Sequence, residues 1–227
     1  MSATARRVAI VAVLLVMVPA LAAAQSASLL HRIEVAGGIG VLTGAALGAQ
    51  EADLRTATAG QPYRLFSSRT RMSAAPILDL RLGVPLGGRY AVEVHTAYGH
   101  PEVRTAASSD AEHAPDLTAV ERLDQYVIDG GLIVGLDRWR VAGLNPFVTV
   151  GGGYLRQLHE GLVVIEDGRV FFAGGGVKHT IHTRPRGFIR GIGARADARL
   201  NWLSGGIHID DNLRRHLSVS GSLFVIF

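Results

Sequence analysis

The chain has 227 residues, 48% of them hydrophobic, with 23 Lys and Arg against 19 Asp and Glu for a formal net charge of +4. No basic cluster accompanies that small excess, so nucleic acid is not an expected partner. Cysteine is absent, which removes disulfides, a lipidated N-terminal Cys and thiolate metal sites together.

At the N-terminus, Arg6 and Arg7 precede an unbroken apolar run from Val8 to Val18, followed by Pro19 and small residues ending in Ala22, Ala23 and Ala24 before Gln25. This is the pattern of a secretory signal peptide over 1–24, with cleavage expected after Ala24. The run is well short of the roughly 20 apolar residues that a membrane helix needs. Arg6 and Arg7 also invite a twin-arginine export reading, but Val8, Ala9 and Ile10 lack its polar context. Residues 25–227 are then one domain.

Past the leader no helical period stands out, whereas alternation of apolar and polar residues recurs between Gly, Pro and polar segments, the signature of half-buried strands. Eight strands are predicted. The first four lie near 31–43 (Ile33, Val35, Ile39 and Val41 outward), 76–86 (Leu78, Leu80, Leu82, Val84), 89–99 (Tyr90, Val92, Val94, Tyr98) and 121–136 (Tyr126, Ile128, Leu132, Val134). The others lie near 144–157 (Val148, Val150, Tyr154), 169–182, 186–202 (Phe188, Ile192, Ala194, Leu200) and 214–227. Short connections at Gly87–Gly88, 137–143 and 183–186 alternate with long polar stretches at 43–75, 100–120, 157–168 and 201–213. That rhythm suits an even-stranded barrel with short periplasmic turns, long extracellular loops and both ends periplasmic.

Aromatic residues fall where two interfacial girdles would need them: Tyr90, Tyr98, Tyr126, Trp139, Tyr154, Phe188 and Trp202. Tyr90 and Tyr98 share a face and would stand roughly 21 Å apart along the membrane normal. Phe147 and Tyr154 disagree, pointing opposite ways unless the Gly151–Gly153 run holds a bulge. The opposite parity carries Glu34, Asp79, Arg81, Glu93, His95, Asp129, Arg195, Asp197 and Arg199. An eight-stranded barrel has room only for side chains, so these groups should neutralise one another as a polar lumen network; the alternative is a selectivity filter in an open channel.

The final strand alternates Leu217, Val219, Gly221, Leu223, Val225 and Phe227 with Ser218, Ser220 and Ser222. It resembles the closing strand of the small bacterial outer-membrane β-barrels, and the chain is similar overall to the OmpA/OmpX-like eight-stranded members of that family. The resemblance implies an all-β, antiparallel up-and-down transmembrane barrel in the cell outer membrane of a Gram-negative envelope. Leu223, Val225 and Phe227 would form the signal read by the barrel-assembly machinery. Partners so implied are that machinery during biogenesis, outer-membrane lipid and lipopolysaccharide, with the barrel a monomer. A soluble lipocalin-like barrel, with the apolar face turned inward around a ligand, has the same alternation and remains the competing architecture.

Signals for chemistry are thin. Gly151–Gly153 and Gly174–Gly176 lack the helix and lysine of a phosphate loop and read as places where a tightly curved wall needs no side chains. His179 and His182 do not converge on a metal without a helix. His216-Leu217-Ser218 has the spacing of a base and nucleophile on a strand, as a lipid A-modifying enzyme would need, yet both side chains face the lumen and no orienting carboxylate is assignable. His208, Asp210 and Asp211 crowd one loop. Arg55, Arg64, Arg69 and Arg71, in the longest loop, could meet lipopolysaccharide phosphates. The expectation is therefore a noncatalytic, plugged barrel without cofactor or metal, serving a structural, adhesive or surface role. A small porin-like pore and a lipid A-modifying enzyme are the alternatives.

Overall fold

The computed structural model describes residues 33–55, 62–108, 115–159, 164–207 and 213–227, without the side chains of 54, 55, 62 and 63. The leader 1–24, the Arg55 side chain, His208, Asp210 and Asp211 lie outside that description. Among the described residues eleven strands run in chain order: β1 Glu34–Leu42, β2 Ala45–Arg55, β3 Pro62–Met72, β4 Ala75–Gly87, β5 Tyr90–Gly99, β6 Glu102–Ser108, β7 Leu117–Gly135, β8 Leu144–His159, β9 Ile165–Thr183, β10 Gly191–Gly205 and β11 Arg214–Ile226. Eight of them close a ring in the order β1, β4, β5, β7, β8, β9, β10, β11, every pair antiparallel. Closure leaves the ring no free edge, the condition that hydrocarbon imposes on a sheet.

Period two sorts the side chains onto opposite sides of the wall. Val35, Ile39 and Val41 of β1 stand exposed outside, opposite Val225, Gly221 and Val219 of β11 on one flank and Leu82, Leu78 and Pro76 of β4 on the other. Leu80 is 59% and Leu223 66% exposed, while Asp79 is 1% and Arg195 3% exposed. Oily outside and charged inside is the transmembrane arrangement and the reverse of a soluble ligand-binding barrel.

The long polar stretches predicted as loops are largely sheet. Residues 43–75 hold the β2–β3 hairpin, and 100–120 hold β6 and the start of β7, so that β2, β3, β6 and the first part of β7 form a four-stranded extension of the wall. These strands bury only isolated apolar residues such as Leu47, Met72 and Val103 and keep no sustained oily parity, so periodicity cannot reveal them. Interruptions between strands at Thr43–Gly44, Ser73–Ala74 and His100–Pro101 mark one line where barrel becomes extension. Ser73 N–H bonds to Glu102 O at 2.8 Å and Leu123 N–H to Pro101 O at 3.0 Å across that line. A Cβ at Gly44 would stand 2.6 Å from Met72 O, so the kink there requires glycine. The Gly and Pro read as loop signals are corners between two pieces of sheet.

Two smaller differences concern turns. The connection after β9 runs over 184–190, longer than predicted, so Phe188 lies in a turn rather than a strand. β8 pairs with β7 and β9 without a register shift, so Phe147 and Tyr154 do face opposite ways, with Phe147 buried inside and Tyr154 exposed outside. Register shifts within the ring fall at the short-turn end, opposite Ile192 and Gly193 and between Pro85 and Gly87.

Candidate functional site

Inside the wall the charged groups meet in one cross-linked layer. Arg81 directs Nε to both carboxylate oxygens of Asp79 at 3.0 Å, Nη1 to Glu93 at 3.2 Å and Nη2 to the Ser220 hydroxyl at 3.0 Å, with Asp197 at 3.2 Å. Arg195 pairs with Glu93 and donates from Nε to Asp197 at 2.9 Å. Arg199 reaches Glu93 at 2.7 Å, Asp129 at 3.3 Å and Asp197 at 3.3 Å. His95 donates from Nδ1 to Asp129 at 2.6 Å, and its Nε2 lies 3.3 Å from Asp79. Of the nine lumen residues named from sequence, eight are buried in this layer; Glu34 lies below it, partly buried, accepting from Lys178 at 2.6 and 2.8 Å.

The register explains how so much charge fits. β10 places Arg195, Asp197 and Arg199 on one side of one strand, opposite Ser222, Ser220 and Ser218 of β11, whose small side chains leave the guanidinium groups their space. Across β9 the partners are Lys178, Gly176 and Gly174. Burial of an ion is tolerable only when its remaining donors and acceptors are taken up, and planar guanidinium groups can serve several carboxylates at once.

Aromatic rings complete the layer. Phe147, Phe172 and Phe224 are buried inside, and the Arg195 and Arg199 guanidinium carbons lie 4.6 and 4.7 Å from the ring centroids of Phe147 and Phe172. Each ring is opposed by glycine: Phe147 by Gly176, Phe172 by Gly151 and Phe224 by Gly193. A Cβ at Gly151 would stand 2.6 Å from the Phe172 ring, so the glycine runs accommodate inward aromatics. Sequence reasoning missed Lys178 and these rings. The available signal was parity in β9, where Phe172 and Lys178 share a side with Gly174 and Gly176, but adjacent Val170, Phe171 and Phe172 obscured it.

Two spaces flank the layer. A recess of about 210 Å³ at the mouth beside the short turns is lined by Glu34, Gly83, Pro85, Ala91, Lys178 and Ile226. A cavity of about 40 Å³ on the other side is bordered by His95, Asp129, Arg199, Asn201, His216 and Ser218. Toward the end that carries the extension, Leu42, Leu47, Met72, Val103, Leu123 and Ile207 pack as an apolar cap. Gln157 links to it, donating to Gln125 at 2.8 Å and accepting from Ile207 N–H at 3.0 Å.

The remaining candidates do not assemble into a reaction centre. His216 donates from Nδ1 to the Thr43 carbonyl at 3.1 Å, and the Ser218 hydroxyl accepts from Asn201 at 3.0 Å. His179 is hydrogen-bonded to the Gly143 carbonyl at 3.2 Å, and His182 accepts from Arg184 at 3.1 Å. Among the girdle residues, Tyr98 and Tyr126 pack together at 4.7 Å, Tyr154 faces outward one step lower, and Trp202 lies opposite Arg215. At the other end Tyr90 and Trp139 are exposed, and Phe188 packs edge-on against Phe227 at 4.9 Å. Val225 and Leu223 of the final strand face outward, and the Phe227 N–H bonds to Ile33 O at 2.9 Å.

No protein-family model and no curated protein matches the chain. Among solved structures, it is similar to the outer membrane protein OprG from Pseudomonas aeruginosa, with a TM-score of 0.54 and 10% identity over 87% of this chain and 96% of that one. Neisserial surface protein A follows at TM-score 0.47 and 12% identity, over 87% and 97% of the two chains. Ail of Yersinia pestis, in complex with the heparin analogue sucrose octasulfate, gives 0.41 and 10% over 86% and 99%.

Proposed function

From the premise that the chain has the eight-stranded barrel fold of the outer membrane, we propose a closed, noncatalytic barrel whose role is carried by its extracellular face. The observation that supports closure is the buried layer itself: Arg81, Arg195 and Arg199 all converge on Glu93, tying β4 and β10 to β5 through the barrel interior. Hydrated ions would have to break that layer and then pass the apolar cap of Leu42, Met72 and Leu123. The extension formed by β2, β3, β6 and β7 offers a rigid surface for structural or adhesive contacts, better suited to recognition than a flexible loop.

Single-channel recording in planar bilayers tests this reading. The purified barrel should insert without steady conductance steps, whereas reproducible open levels at neutral pH would make it a pore. A lipid A-modifying activity would instead appear as a change in lipid A mass on expression, abolished by Ser218→Ala.

A further inference from the structure

On the outward face of the extracellular extension, four arginines share one strip. Register sets Arg71 of β3 directly opposite Arg104 of β6, with Arg69 two residues along β3 on the same face and Arg122 of β7 opposite Glu102. All four side chains are exposed. Like charges directly opposed across a strand pair repel and weaken the pairing. Carboxylates nearby are scarce. Glu102 takes Arg104 at 2.9 Å and stands 3.9 Å from Arg122, while Asp124 is engaged by the Tyr98 hydroxyl at 3.2 Å and by His100 at 2.7 Å. Arg64, grouped with Arg69 and Arg71 by sequence, is already paired with Glu51 and Asp53. Arg69 and Arg71 have no ion pair among the described residues.

Depth supplies the second observation. Arg122 and Tyr126 lie on the same outward parity of β7, so the strip continues the lipid-facing side of the wall. At about 3.4 Å per residue and a tilt near 40°, Arg122 stands roughly 10 Å and the Arg71–Arg104 pair roughly 16 Å above the Tyr98–Tyr126 shelf. Arg156, directly opposite Tyr126 in β8, and Arg169, opposite Tyr154 in β9, carry positive charge at shelf level, with Asp167 opposite Arg156. The arginines therefore stand beside the headgroup region around the barrel.

We propose that this strip binds the phosphate groups of a phosphorylated glycolipid in the surrounding outer leaflet. A guanidinium fork matches phosphate oxygens two at a time, and adjacent forks suit a ligand bearing more than one phosphate. Bound phosphate would relieve the Arg71–Arg104 repulsion, and the tyrosine shelf would meet the boundary between sugar and acyl chains. The assignment rests on the barrel lying in the outer membrane with this end outward, and it is independent of whether the lumen conducts.

The test compares binding of lipopolysaccharide with a phosphorylated sugar core and the same lipopolysaccharide chemically dephosphorylated to the full barrel in detergent, by native mass spectrometry. The phosphorylated form should bind at least about tenfold more tightly, and the double substitution R71S/R104S should remove that preference, since charge-assisted hydrogen bonds of this kind are each worth roughly tenfold. The heat-dependent gel shift of each variant verifies that the barrel has folded. R64S, which removes an already paired arginine, should leave binding unchanged. Equal binding of the dephosphorylated lipid, an unaltered preference in R71S/R104S, or an equal loss in R64S would overturn the strip as the site. Displacement of the lipopolysaccharide by inorganic tripolyphosphate at similar concentration would overturn the lipid assignment in favour of a soluble polyanion.

Discussion

Glu93 shows how one residue can hold a barrel together. Its carboxylate accepts from Arg199 at 2.7 Å and is paired with Arg81 and Arg195, while being almost wholly out of water. Replacing it removes the shared anion and leaves three guanidinium groups crowded in low dielectric, a case in which breaking a buried pair costs about 3–5 kcal/mol. Glu93→Gln, nearly isosteric, should therefore lower the unfolding free energy by about that amount in urea titrations of the barrel refolded into vesicles. Glu51→Gln is the matched control, because its partner Arg64 is half exposed and such surface pairs contribute about 1 kcal/mol or less. Equal losses in the two variants would mean that the lumen layer carries no special share of stability.

At the scale of elements, strand length and parity decide what each residue meets. β7 and β9 each have 19 residues, about twice the 9–11 that span a bilayer at this tilt, so both must run past the bilayer, β7 into the four-stranded extension and β9 alongside β8 and β10. Leu82, opposite Val94 midway between Tyr90 and Tyr98, sits at mid-depth on the lipid side, and Leu117, 69% exposed, sits at the far end of β7 beyond the membrane. Leu82→Arg should cost about 2–4 kcal/mol on refolding into vesicles, the penalty for arginine at the bilayer midplane, and Leu117→Arg roughly nothing. The contrast in refolding free energy checks the placement of the lipid belt without reference to any ligand. It also indicates what could be read from sequence. Alternation such as Leu78, Leu80, Leu82 survives in strands with one oily face, so the ring strands and the inward charges of β4, β5, β7 and β10 were legible. In β3, the apolar Phe66 is exposed while the polar Thr70 is buried, so no oily period distinguishes the run Arg64 to Arg71 from a loop. Pairings such as Arg71 with Arg104, or Phe172 with Gly151, depend on register between distant strands, which periodicity alone leaves open.

For the whole molecule, the described segments sort to two ends of the barrel. Short turns at Gly87–Gly88, 136–143 and 184–190 gather at one end with Phe227, and the extension with its apolar cap occupies the other. Because the chain contains no cysteine, single-cysteine variants report position without background. An impermeant maleimide applied to intact cells should label Leu117→Cys, at the outer end of β7. It should label Arg138→Cys, in the short turn after β7, only once the outer membrane is permeabilised. Leu80→Cys should resist both treatments, since its thiol would face hydrocarbon, where the thiolate that reacts is strongly disfavoured. Labelling of Arg138→Cys on intact cells would invert the barrel and put the arginine strip in the periplasm. Ready labelling of Leu80→Cys would remove the lipid belt and return the exposed leucines to water. The three sites thus test orientation and depth separately, and the strip retains a glycolipid to meet only if all three behave as the fold requires.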